Sequence, residues 1–296
     1  WRLINGNFND VVPSARPLIA AAAAANDPNL GSLVQANRRF PTAGPITKDE
    51  STGDSSYHAL QVWVNRRFSD RLAFQAAYTW GHTISNVPTQ SFISATTDVF
   101  DYNRDKGNAD LDRRHMFVFN AVYSLPSFQS WGTLPSKILG DWQLNGIASF
   151  FGGTPLNIIS GVNTAGLQAA LTQRPNLVPG VPIHLDVPGD AARILNPAAF
   201  SIPAPGQFGN LGRGVIRGPG INNIDFSMAK NWRMRERYGL QFRAEMFNVF
   251  NHANFRSCNL SEAGGCIENN LSNGSFGRAT STRGPREIQF GLKFNF

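Results

Sequence analysis

The sequence predicts an all-β fold, an antiparallel transmembrane β-barrel with its long connections at one end, and three observations predict it. Apolar and polar residues alternate in seven separate segments, those segments are rich in aromatics, and the chain between them runs alternately short and long. Alternation at period two marks a strand with one apolar and one polar face. Composition agrees: 22 Phe, 6 Trp and 5 Tyr stand beside 28 Gly and 18 Pro in 296 residues that are 42% hydrophobic and 16% charged. Those fractions are ordinary for a folded chain and exclude disorder throughout. No apolar run approaches the roughly 18 residues of a membrane-spanning helix. The longest candidate, Leu18 to Ala25, is Ala-rich and is ended by Asn26-Asp27-Pro28. Barrel strands escape that hydropathy test, because only every second residue faces lipid.

In chain order, residues 1–54 are expected to form an extracellular loop or a partial barrel segment, and residues 55–296 the barrel strands proper. The chain opens at Trp1 with neither an initiator Met nor a leader, as expected of a fragment or a processed product. The first strand is expected near 57–66, where Leu60, Val62 and Val64 oppose Gln61 and Asn65. The second, near 71–80, sets Leu72, Phe74, Ala76, Tyr78 and Trp80 against Arg71, Gln75 and Thr79. From 115 to 125, Phe117, Phe119, Ala121, Tyr123 and Leu125 share a face, and Met116, Val118 and Val122 make the other less polar. Trp142, Leu144, Ala148 and Phe150 define a fourth strand at 141–151; Ile224, Phe226, Met228 and Trp232 define a fifth at 222–232. The sixth, at 237–250, carries Tyr238, Leu240, Phe242, Ala244 and Met246, and its pattern blurs from Phe247 to Phe250 at a bulge or at the membrane rim. The seventh, Arg286 to Phe296, alternates Ile288, Phe290, Leu292, Phe294 and Phe296 with polar residues and ends on an aromatic. A strand of that length, at about 3.3 Å per residue and tilted about 40°, spans roughly the 25 Å apolar band of an outer membrane.

The connections alternate strictly. Phe68 to Asp70, Pro126 to Gly140 and Arg233 to Glu236 are the shorter ones; Gly81 to Arg114, Gly152 to Ile221 and Asn251 to Pro285 are long. A transmembrane barrel predicts this, with short periplasmic turns and long extracellular loops, whereas a soluble β-sandwich has no reason to gather its long loops at one end. The apolar faces are nearly free of charge; Arg243, Glu245, Glu287 and Lys293 lie on the opposite, lumen-facing side. Lys230 is the exception, near a strand end from which it could snorkel to water. Phe296 then lies at the periplasmic rim and residues 251–285 outside the cell. Seven strands do not close such a barrel, since an even count is the rule, so further strands are expected in the parent protein.

The final strand, Gln289-x-Gly291-x-x-Phe294-x-Phe296, resembles the C-terminal signal read by the barrel assembly machinery of Gram-negative outer membranes. Segments Leu111 to Pro126, Asn196 to Gly220, Ile224 to Trp232, Leu240 to Phe255 and Pro285 to Phe296 together resemble the C-terminal barrel region of TonB-dependent receptors, specifically the Oar-like group. The resemblance covers most of residues 55–296. It implies a barrel of about 22 strands, an N-terminal plug that occludes the lumen, and a TonB box coupled to the energised inner membrane. It also implies outer-membrane lipid and lipopolysaccharide as surroundings, the TonB complex as a partner through the plug region, and an unidentified small ligand. The alternatives are an Oar-like structural or adhesive barrel without active uptake, and a soluble carbohydrate-binding β-sandwich.

The remaining motifs add little chemistry. Asp101-x-Asn103-x-Asp105 begins like a calcium loop, but Lys106 and Asp112 occupy positions where an EF-hand needs Gly and Glu, so a solvated acidic loop beside Arg113 and Arg114 is expected. Cys258 and Cys266 enclose seven residues in a segment placed outside the cell, where a disulfide between them would persist. The five His residues form no metal or catalytic grouping, no Ser sits in a nucleophile elbow, and Gly209-x-x-Gly212-x-Gly214 follows no parallel-type strand. Asp101, Asp105, Asp110 and Asp112 cluster in one loop, as solvated carboxylates commonly do. Neither an enzyme nor a resident cofactor is expected. Net charge of +7 is spread over turns and polar faces without a basic tract, which argues against nucleic acid as a partner.

Overall fold

The structure is a computed structural model that describes residues 3–87, 93–165, 173–235, 238–256 and 267–296. Seven long strands follow the chain as an antiparallel meander, each hydrogen-bonded to the next. They are β1 (Ser55–Ser69), β2 (Leu72–Ser85), β3 (His115–Ser124), β4 (Trp142–Phe151), β5 (Ile221–Arg235), β6 (Tyr238–Phe247) and β7 (Glu287–Asn295). Every expected strand is present, with its ends moved by a few residues. Register unites the apolar sets into one continuous face. Val62 pairs with Tyr78 and Tyr78 with Phe117; Phe117 pairs with Phe150, Met228 with Ala244, and Ala244 with Phe290. Gln61, Gln75, Asn120, Asn145, Ser227, Glu245 and Gln289 share the opposite face. Two solvents, one on each side of a single sheet, are what such a pattern requires.

Among the described residues no second layer covers the apolar face away from α3 and the turn end: Phe290 is 72% and Leu292 70% exposed. The hydrophobic core lies in the long connections instead. Leu156, Ile158, Leu195, Phe200, Ile216, Ile267 and Phe276 pack together there, with the Phe200 and Phe276 rings edge to face at 5.3 Å. These residues come from the β4–β5 and β6–β7 connections, which are stitched by two-residue ladders (Pro155–Leu156 with Ile216–Arg217, Asn176–Leu177 with Phe200–Ser201) and by bridges at Ile159↔Asn270 and Arg193↔Arg278. The segment before β1 joins the same cap. Its strand Leu3–Asn7 pairs with Thr47–Glu50 and with Ile93–Ala95 of the β2–β3 connection, and its helices α1 (Arg16–Ala24) and α2 (Leu30–Ala36) enclose Val11, Ala15 and Ile19. The Ala-rich stretch thus forms a nine-residue helix, started with Pro in its first turn and stopped where Asn26 turns left-handed at φ 51°. Residues 3–54 add no strand to the meander.

At the other end the connections are compact. Asp70 and Arg71 both have positive φ (50° and 69°) between the paired Ser69 and Leu72, the type I′ hairpin whose twist suits antiparallel strands. The turn therefore sits two residues later than Phe68, because β1 continues through Ser69. The blurred pattern after Met246 is the rim and not a bulge: β6 stops at Phe247, with Asn248 left-handed at φ 48°. The β3–β4 connection is more than a turn, holding a 3₁₀ turn (Gln129–Trp131) and a short helix, α3 (Thr133–Leu139).

Lys230 departs from expectation. It does not reach water; it is 3% exposed, and its Nζ donates to the carbonyls of Ile138 (3.0 Å) and Gly140 (2.5 Å) at the end of α3, between the rings of Trp142 and Trp232. Cations are favoured at a helix C-terminus, where carbonyls lack partners. Arg66 is a second cation on the apolar face, opposite Phe74 at the turn end, donating to Ser69 O (3.4 Å) and to Asp70 (3.3 Å).

Candidate functional site, the cap and the polar face beneath it

The cap is cross-linked by guanidinium–carboxylate pairs centred on the acidic stretch 98–112. Arg16 grips Asp98 through two bonds of 2.9 and 2.8 Å. Arg174, from the β4–β5 connection, donates to Asp105 Oδ1 (3.0 Å) and to the carbonyls of Leu211 (3.0 Å) and Arg104. Arg213, 2% exposed, donates to Ser85 O (3.0 Å), Asp105 O (3.2 Å) and Asp110 Oδ1 (2.9 Å). Arg217 reaches the Asp112 carboxylate and the carbonyls of Asp112 and Gly153 (3.0 Å each), while Arg114 reaches Asp112 at 3.2 Å. Planar forks that meet carbonyls and carboxylates from several chain segments fix those segments in one arrangement.

This overturns the expected solvated acidic loop. Asp98, Asp105 and Asp112 are buried, at 3%, 1% and 2% exposure. Asp105 is taken up by Arg174, Thr96, and the backbone and hydroxyl of Thr97; Asp101 accepts from the Asn103 amide. Among the described residues, no three or more His, Cys, Asp or Glu converge as a metal site. Aromatic and cationic residues of the β4–β5 connection also turn inward: Phe200 is in the core, Arg213 and Arg217 are struts, and Phe208 lies under the guanidinium groups of Arg104 (3.9 Å) and Arg16 (5.2 Å). Arg113 Nη1 donates to Gly152 O at 3.0 Å.

Elsewhere in the cap, Tyr102 donates to the Glu50 carboxylate, which also meets Lys48. Burial, with the bond to Glu50 adding to it, pushes the Tyr102 phenol up to about 12. Hydrogen bonds from Lys48 first and Tyr102 second hold Glu50 below its ordinary value.

Below the cap, a cleft of ≈ 420 Å³ opens on the polar face of β4–β6, lined by Asn223, Asp225, Asn248, Asn254, Arg283 and Glu287 among others. Of three asparagines spaced by three, Asn248 and Asn254 line it and Asn251 lies between them in the chain. Asn248 sends its amide N–H to Asp225 (2.9 Å) and its side chain to His252 O (3.0 Å); Asn251 accepts from the Arg286 amide (3.0 Å); Asn254 exchanges bonds of 2.7 and 2.9 Å with the Asn222 backbone. Asn248 and Asn251 are both left-handed, a conformation Asn tolerates. The Asn-x-x-Asn-x-x-Asn spacing was the signal available for this group. The cleft offers amides and both signs of charge, suited to a polar ligand.

Further down the same face, Arg243 meets Glu245 at 3.4 Å and Glu245 accepts from Gln289, so Arg243 and Glu245 on β6 share a surface with Glu287 and Lys293 on β7. On β7, Gln289 and Gly291 lie on that polar face, while Phe294 stacks on Tyr238 (5.9 Å) and on Phe296 (6.3 Å) at the turn end. Cys258 and Cys266 lie outside the described residues.

Two observations bear on identity. No described helix is long and apolar enough to cross a membrane. The family described as an outer membrane beta barrel domain matches residues 3–289. Comparison with curated proteins and with solved structures returned no match.

Proposed function

Because this chain belongs to the outer-membrane β-barrel domain family and resides in the outer membrane of a Gram-negative bacterium, we propose that it is the ligand-receiving part of a TonB-dependent receptor of the Oar-like group. The carrying observation is the polarity of the meander: every long connection lies at one end, folded into a cap over a polar face with a cleft beneath. On this reading β1 to β7 are the last seven strands of a barrel of about 22. Supporting it, β1 and β7 are both open edges and run in the same direction, so antiparallel closure takes an odd number of further strands. Lipid offers no water to satisfy such edges. The long connections face outside, a small polar ligand enters the cleft, and Arg243, Glu245, Glu287 and Lys293 line the lumen. A plug upstream of Trp1 rearranges and the TonB complex supplies the work, with no covalent chemistry. Gln289, Gly291, Phe294 and Phe296 present the last strand to the barrel assembly machinery. A soluble sandwich is set aside by the family and by the uncovered apolar face.

A second reading, a structural or adhesive barrel without uptake, is favoured by one feature, the inward turn of the cap arginines. The two differ upstream of Trp1, where a plug domain and a TonB box are expected; a gene that encodes neither returns the adhesive barrel. Orientation has its own test. An epitope inserted between Pro179 and Gly180 should bind antibody on intact cells, and one between Asp70 and Arg71 only after the outer membrane is opened. Equal access to both would reject the placement of the cap outside.

A further inference from the structure

We infer that the β3–β4 connection is a lipid anchor, with its 3₁₀ turn and α3 seated in the periplasmic phospholipid leaflet against the barrel wall; this rests on the orientation proposed above. Leu134 and Ile138, four residues apart, lie on one stripe of α3, and Trp131 ends the 3₁₀ turn before it; they are 69%, 55% and 63% exposed. Leu139 adds to the patch at 47%. In water this would be an uncovered apolar surface.

What covers it follows from where α3 is fastened. Three side chains of the apolar sheet face hold its C-terminus: Trp142 Nε1 donates to Ile138 O (2.9 Å), Trp232 Nε1 to Lys137 O (3.0 Å), and Lys230 Nζ to the carbonyls of Ile138 and Gly140. The helix therefore lies on the lipid side of β4 and β5, and its apolar stripe continues the lipid-facing surface. The fastening is itself suited to a dry site. Carbonyls at a helix end are satisfied by water where water is present; here two indoles and an ammonium supply the donors. Trp at the headgroup level and an amphipathic helix in the plane of the interface are the forms such contacts take. Lys137, exposed in the last turn, is placed for lipid phosphate.

A nitroxide attached at Leu134→Cys, with Cys258→Ser and Cys266→Ser, tests this in the full-length protein reconstituted in phosphatidylethanolamine–phosphatidylglycerol vesicles. Relaxation by oxygen is compared with relaxation by a water-soluble nickel chelate. A second label at Phe242→Cys, mid-strand on β6, reports the sheet face. Oxygen is expected to dominate at both sites, with the Leu134 label about 5–10 Å below the headgroup boundary, shallower than the Phe242 label. Nickel dominating at 134 but oxygen at 242 overturns the anchor and leaves the barrel face intact. Shielding of 134 from both reagents also overturns it, showing that protein covers the stripe. Nickel dominating at both sites rejects the lipid-facing assignment from which the anchor was drawn. Ile138→Cys repeats the measurement should Leu134→Cys fail to fold.

Discussion

Arg213 carries a disproportionate share of the cap, since one guanidinium from the β4–β5 connection serves both the end of β2 and the acidic stretch. Removing one partner of a buried charged pair weakens the hold on the other and leaves two carbonyls without this donor, so Arg213→Met is expected to cost the cap about 3–5 kcal/mol, towards the lower figure because Asp110 keeps some contact with water. Limited proteolysis should then cut within 98–112 and 152–220 while the barrel keeps its heat-modifiable migration. The Glu50–Tyr102 contact gives a pH dependence with two limits. Tyr102 has a raised value, so its contribution is complete below about 10 and is lost as pH climbs towards about 12; Glu50 has a lowered one, so its contribution is lost as pH falls below 4.5. Difference absorbance between wild type and Tyr102→Phe should place this phenol's ionisation well above the ordinary tyrosine range. Little of this was legible beforehand. Arginines in a Gly-rich loop look the same in a sequence whether they meet a ligand or brace a neighbour, and their carboxylates lie about a hundred positions away.

At the scale of elements the sequence was far more informative, and the reason is physical. A strand with lipid on one side and water on the other must alternate along its whole length, so β1 to β7 announce themselves, down to the rim at Phe247. A charge on the apolar face should be resisted there. Phe290→Arg is expected to cost about 2–4 kcal/mol in a bilayer, whereas Gln289→Arg, one residue along and on the polar face, should cost little; urea titration in vesicles separates them. Phe296→Asp should lower the amount of assembled, protease-resistant barrel in cells, because it puts a charge where Phe294 and Phe296 stack at the rim. Wild-type levels would deny the strand its part in assembly. The elements that went unread are those without a period: α3 spans seven residues and the ladders of the β4–β5 connection two each, too short for any repeat to register.

Taken whole, the molecule divides its cohesion between two places. The sheet is held by its ladders and by lipid, while the cap has its own core and buried ion pairs, with contributions from every long connection. Unfolding in detergent should therefore proceed in two steps, the cap separately from the strands. Leu195→Ala, at a fully buried site, should weaken the cap step by about 2–5 kcal/mol and leave the strand step in place, as read by hydrogen exchange across the two regions. The tightest crossing in the cap lies between two ends of one connection: a methyl group at Gly153 would sit 1.8 Å from the carbonyl oxygen of Gly218, and one at Gly161 would meet Asn270 of the next connection at 1.9 Å. Such connections cannot then be traded singly, as separate cassettes. A foreign β4–β5 connection would arrive without the Asp-rich partner or the Asn270 contact that it was shaped against. Recombination would have to move the cap as a set, and point changes would accumulate at open positions such as Gly44 and Gly274, where an added side chain meets nothing.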